Sequence, residues 1–168
     1  MSIEYNLLPY DKLVELISEK PELIKKIYKK NQTEEIQKIV VKKNPYLIQY
    51  LKNPTEKICR MALKRNGLCL QYIKEQTEKL CLISIMQEPY ALQYVKEQTP
   101  IICMAAVQVD GLALQYVKNK REDICVLALE SNGMALRFIE KQNEHLCEIA
   151  VNNNPFSIRY VKEQTEKI

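Results

Sequence analysis

Hydrophobic and polar positions along this chain follow a 22-residue period instead of one continuous helical or strand pattern. Gln76-Thr77-Glu78-Lys79-Leu80-Cys81 returns as Gln98-Thr99-Pro100-Ile101-Ile102-Cys103. Ala91-Leu92-Gln93-Tyr94-Val95-Lys96 returns as Ala113-Leu114-Gln115-Tyr116-Val117-Lys118. Self-similarity at a fixed period is the signature of a repeat architecture. Repeats start at Gln32, Pro54, Gln76, Gln98, Lys120 and Gln142, with a partial seventh at Gln164.

Each repeat predicts two short helices. The first starts after a threonine, at Thr33, Thr55, Thr77, Thr99 and Thr165, whose hydroxyl can accept a hydrogen bond from an otherwise unpaired N–H of the first turn. Glu34, Glu56 and Glu78 follow, where the helix dipole favours negative charge. Pro100 follows Thr99, a position that tolerates proline. The break before the second helix reads Asn44-Pro45, Asn66-Gly67, Glu88-Pro89, Asp110-Gly111, Asn132-Gly133 and Asn154-Pro155. Proline fixes φ near −65°, so a backbone shared by all repeats cannot be left-handed there. Asn or Asp is therefore expected to cap the second helix and Pro or Gly to be its first residue.

Helices of roughly 7–10 residues are marginal alone and must stack on their neighbours. Large residues at Ile58, Leu80, Ile102, Ile124 and Leu146 face small ones at Cys69, Ala91, Ala113, Ala135 and Ser157, which suits close interdigitation. The expected fold is all-α, an α-solenoid of six helix pairs over residues 32–168. Residues 1–31 are a divergent N-terminal cap, in which Pro21-Glu22-Leu23-Ile24 echoes Pro45-Tyr46-Leu47-Ile48 and Lys25, Lys26, Lys29 and Lys30 keep the outer surface polar.

The in-phase pattern T-x-x-[IL]-C, then N-G/P, then [AS]-L-Q-Y-[VI]-K resembles a repeat family of mimivirus-like giant DNA viruses. The resemblance covers residues 32–168 and implies a viral repeat array without a known activity. Gln37 in place of the cysteine, Phe138 and Glu140 depart from the pattern.

Composition adds limits. The 168 residues carry a net charge of +4. Residues 1–75 hold fifteen Lys/Arg against nine Asp/Glu, and the remainder ten against twelve, so one end is basic and the other weakly acidic. No apolar run is long enough to span a bilayer, and the first residues lack a signal-peptide layout. An intracellular protein is expected, in the host cytoplasm if viral.

Several columns invite a chemical reading. Cys59, Cys81, Cys103, Cys125 and Cys147 are in phase. Equivalent positions on stacked helices lie about 8–10 Å apart, beyond the roughly 4.4–6.8 Å of a disulfide, and a ladder does not converge on a metal. Packing is expected, with no metal. Tyr50, Tyr72, Tyr94, Tyr116, Phe138 and Tyr160 could stack bases but fit better as rings packed between repeats. Lys52, Lys74, Lys96, Lys118 and Lys162 could track phosphates, or sit at helix C-termini where cations are favoured. His145 has no in-phase partner. No catalytic motif occurs, so no catalytic residue and no cofactor are expected.

The most informative positions lie on the outer face of the first helix. They read Lys38, Arg60, Leu82, Met104, Val126 and Glu148, then one turn on Lys42, Lys64, Met86, Gln108, Glu130 and Asn152. Exposed apolar patches mark binding surfaces. The expectation is non-catalytic binding of another protein, centred on Leu82, Met86, Met104 and Val126, with Lys38, Arg60 and Lys64 steering an acidic partner. The alternatives are self-assembly through an uncapped C-terminal face, giving a homo-oligomer, and nucleic-acid binding through the basic half. A short F-box-like start at Leu8-Pro9 is a weaker fourth.

Overall fold

Hydrogen bonds at the helix starts show why the period is so regular. In a computed structural model describing residues 2–163, Thr33, Thr55, Thr77 and Thr99 each accept a hydrogen bond from the N–H three residues on, at 3.3–3.4 Å. Asn143 does the same for Leu146 at 2.8 Å. Asn44, Asn66, Asp110, Asn132 and Asn154 accept from the N–H two residues on, at 2.9–3.0 Å. No described glycine has a positive φ, so the Pro/Gly position is a helix start, as its alternation requires.

The chain divides into two compact halves between Gln87 and Glu88. The first holds α1 (Ser2–Tyr5), α2 (Tyr10–Glu19), the 3-10 helices η1 (Pro21–Lys26) and η2 (Lys29–Asn31), α3 (Glu34–Lys43), η3 (Pro45–Tyr50), α4 (Glu56–Arg65), η4 (Gly67–Tyr72) and α5 (Glu78–Gln87). The second holds η5 (Pro89–Tyr94), α6 (Pro100–Val109), η6 (Gly111–Tyr116), α7 (Glu122–Ser131), η7 (Gly133–Phe138), α8 (Glu144–Asn153) and η8 (Pro155–Tyr160). Within each half the architecture is a helical repeat solenoid: successive α-helices pack on each other, and each 3-10 helix also packs on the α-helix of the next repeat. The segment before residue 32 is itself a divergent α/3-10 pair, with α2 on α3 and η1 on η3. The expected seventh repeat, with its start at Gln164, its Thr165 cap and its face up to Ile168, lies outside the described residues.

The second helix corrects the expected length and type. It is a six-residue 3-10 helix in every repeat, whereas sequence spacing led to an ordinary helix of roughly 7–10 residues. The cause is the side-chain period. With three residues per turn, positions three apart eclipse, so Leu92 and Val95 both point inward, as do Leu114 with Val117 and Leu136 with Ile139. Gln93, Gln115 and Arg137 remain exposed. The residue after each 3-10 helix is extended and ends it.

Glycine and proline at the second-helix start represent two different joints. Gly111 N–H donates to Ser131 Oγ at 3.1 Å and Gly133 N–H to Asn153 Oδ1 at 2.6 Å, each acceptor on the next α-helix. A Cβ on Gly111 would run into the Ala128 carbonyl oxygen, and one on Gly133 into that of Ala150. Proline has no N–H to satisfy, and after Pro45 and Pro89 the same offset holds Arg65 and Val109. Those repeats use a tyrosine instead. Asn66 Nδ2 donates to Tyr46 Oη at 2.8 Å, and Tyr90 Oη donates to Asp110 at 2.7 Å.

Candidate functional site

The two rows of the outer α-helix face differ in exposure. Lys42, Lys64, Met86, Gln108, Glu130 and Asn152 are exposed, and Lys38, Arg60, Leu82, Met104, Val126 and Glu148 are half-buried. In the first half, Leu82 and Met86 lie one turn apart on α5, with Met86 61% exposed. In the second half, Met104 lies on α6 and Val126 on α7.

Two basic residues of this face are already engaged. Lys38 pairs with Glu34 and Arg60 with Glu56, both at 2.8 Å and four residues apart. Lys38 holds the Glu34 carboxyl below its ordinary range through that hydrogen bond. Steering by Lys38 and Arg60 is therefore partly neutralised, and exposed Lys42, Lys43, Lys64 and Arg65 at the C-terminal ends of α3 and α4 carry the positive field of the first half.

Sequence reasoning missed an apolar stripe on α6. Ile101 is 59% and Val109 46% exposed, with half-buried Ala105 between them at four-residue spacing. The signal was present. Position 101 reads Glu35, Lys57, Lys79, Asp123 and His145 in the other repeats, and α6 carries no charged residue.

The glutamines that start the repeats form a hydrogen-bonded column. Gln98 Nε2 donates to the Leu92 and Tyr116 carbonyls at 3.1 and 2.9 Å, and its Oε1 accepts from Lys118 N–H at 2.9 Å. Gln142 repeats this with Leu136, Ile139 and Tyr160 as acceptors and Lys162 N–H as donor. Gln32 bridges Ile24, Ile27 and Tyr50 carbonyls and the Lys52 N–H. One carboxamide thus ties the ends of successive 3-10 helices together, because it offers two donors and an acceptor at once.

The cysteine column joins this network. All five thiols are free and buried. Cys103 Sγ donates to Gln98 Oε1 and Cys147 Sγ to Gln142 Oε1, both at 3.7 Å, and Cys125 Sγ to the Lys120 carbonyl at 3.8 Å. Burial pushes each thiol pKa up, which holds them as unreactive thiols at neutral pH. A sixth cysteine, Cys69, fills the small-residue position of η4 and is pushed up to about 11 by burial. In the first repeat Gln37 replaces the thiol and donates to the Gln32 carbonyl at 3.0 Å.

The aromatic column is half-buried, apart from exposed Tyr50. Tyr116 meets Tyr90 edge to face, with centroids 5.9 Å apart. Two of the lysines turn back onto the scaffold: Lys118 Nζ donates to the Lys96 carbonyl at 3.3 Å and Lys162 Nζ to the Glu140 carbonyl at 2.7 Å. The accepting carbonyls lie two residues past the ends of η5 and η7, in the preceding repeat. His145 is exposed in the first turn of α8. No described helix is long and apolar enough to cross a membrane. No protein-family model matches the chain, and neither does any curated protein or solved structure.

Proposed function

We propose that this chain is a non-catalytic scaffold that binds another protein through the outer face of its α-helices. The observation that carries the reading is solvent-exposed apolar surface at positions where sister repeats carry charged or polar side chains: Met86 on α5, and Ile101 and Val109 on α6. Leu82, one turn from Met86 on α5, and Met104, one turn from Ile101 on α6, are half-buried, as is Val126 on α7, and they supply adaptable or shape-filling contact. The exposed lysines and arginine of α3 and α4 favour an acidic partner by steering its approach. The in-phase motifs fit membership of the giant-virus repeat family, with the host cytoplasm as the place of action.

The test is affinity purification with wild type and a Leu82→Glu, Met104→Glu chain. A charge at an apolar contact should abolish capture of a partner that wild type recovers reproducibly. Because both side chains are half-buried, circular dichroism should stay unchanged. Equal recovery by the folded variant would sink the reading.

A further inference from the structure

The glutamine column has two gaps. Pro54 and Lys120 stand where the other repeats start with glutamine, and each gap is a hollow, of about 550 Å³ at Pro54 and about 420 Å³ at Lys120. The second has a polar side chain of its own, since Lys120 Nζ donates to the Val117 carbonyl at 3.1 Å. Proline brings no polar side-chain atom, so the first hollow lacks the group that its sister sites contain.

The sister sites specify that group. Gln98 and Gln142 each reach the carbonyl six residues earlier and the one 18 residues later, accept from the N–H 20 residues later, and accept from the thiol five residues later. Transferred to Pro54, these offsets name Ile48, Tyr72, Lys74 and Cys59. All four line the hollow, together with Leu51, whose counterpart Ile139 also serves Gln142. Its size falls within the roughly 300–1,000 Å³ of ligand sites, and it combines apolar walls at Leu51, Ile73 and Leu80 with a few polar groups, as such sites do. The turn leading in is also distinctive: Asn53 has a φ of 55°, the only positive value at a non-glycine residue among those described.

We propose that this hollow binds a primary carboxamide supplied in trans, the side chain of a glutamine on a partner polypeptide. Its NH₂ would donate to the Ile48 and Tyr72 carbonyls, its oxygen would accept from the Cys59 thiol, and its methylene stem would lie on Leu51 and Leu80. The inference rests on the scaffold reading and names one chemistry that the partner carries. A glutamate, of the same shape, would set a carboxylate against two carbonyls and be rejected.

The experiment is a titration of the isotope-labelled full chain with N-acetyl-L-glutamine N-methylamide, followed by amide chemical shifts, with the glutamate counterpart as control. Saturable shifts are expected at Gln49, Ile73 and Lys74, with at least about tenfold weaker response to glutamate, since a site built for hydrogen bonding rejects an analogue that leaves it unpaired. Pro54→Gln should abolish binding by filling the site with its own carboxamide, whereas Pro54→Ala keeps the hollow and should bind like wild type. Absence of saturation, meaning that water alone serves these carbonyls, overturns the proposal. So does an equal response to glutamate, or retained binding in folded Pro54→Gln. If Pro54→Gln does not fold, the glutamine–glutamate comparison on wild type and Pro54→Ala decides. Lost capture by the Leu82→Glu, Met104→Glu chain with no glutamine response would refute this inference alone. Glutamine binding with capture indifferent to those charges would refute the scaffold reading alone.

Discussion

Replacing Gln98 by alanine removes one carboxamide and three hydrogen bonds with partners at 2.9–3.1 Å, together with the weaker thiol bond at 3.7 Å. A net hydrogen bond contributes about 1 kcal/mol. Three would give about 3 kcal/mol, but Gln98 is only half-buried and water can replace part of what is lost. The expected loss is about 2 kcal/mol, which for a chain of this size lowers Tm by roughly 4–8 °C. The measurement is urea denaturation alongside amide exchange. Exchange should accelerate most at Lys118, whose N–H bonds to Gln98 Oε1, because a local bridge opens before the whole repeat does. Gln93→Ala is the internal control. That side chain makes one exposed hydrogen bond, to the Tyr90 carbonyl at 3.0 Å, and its loss should stay within about 0.5 kcal/mol. If the two variants are equally mild and Lys118 exchange is unchanged, the carboxamide bridge does not hold the repeats together.

Two further outcomes follow from the joints between repeats. Gly111→Ala should destabilise by about 1–3 kcal/mol through overpacking against the Ala128 carbonyl and Asn132, exceeding the roughly 0.4–1 kcal/mol that the same change contributes through the unfolded chain; a calorimetric Tm at or above wild type would contradict this. Tyr90 is pushed up to about 12, first because its hydroxyl donates to the Asp110 carboxylate and then because of burial. A phenol whose folded pKa is raised contributes stability that is fully present below about pH 10 and lost as pH rises through 12. Tyr90→Phe should therefore cost about 1 kcal/mol at pH 7, and ultraviolet titration should show the last phenolate near pH 12 in wild type and not in the variant.

How legible the fold was differs from element to element. The α-helix starts were readable because Thr–x–x capping is local: residue and target lie three apart on one turn. The Pro/Gly alternation was equally informative, since proline's fixed φ excludes a left-handed turn for every repeat at once. The 3-10 character of the second helix was not read. Over the three residues from Leu92 to Val95, periods of 3.0 and 3.6 drift apart by only about 0.6 of a residue, and both side chains of that discriminating pair are apolar under either. The candidate surface was partly legible. Met86 and Leu82 are legible from phase alone, and Ile101 and Val109 stand out only against the charged or polar residues at the same positions of the other repeats.

Sequence alone determined the period, the helix starts, the packing role of the cysteine column and the face on which the repeats differ, because each of these is set by local backbone chemistry or by recurrence at one offset. Tertiary structure decided what the glutamine column does. Its partners lie three and six residues behind and 18–20 residues ahead, and only stacking brings those backbone groups to one point. Stacking also turned two substitutions in that column into different things, a hollow at Lys120 with an ammonium bonded to the Val117 carbonyl and a hollow at Pro54 with no polar side chain in the glutamine's place, because a missing side chain acquires a shape only when the neighbours that would have touched it are in place.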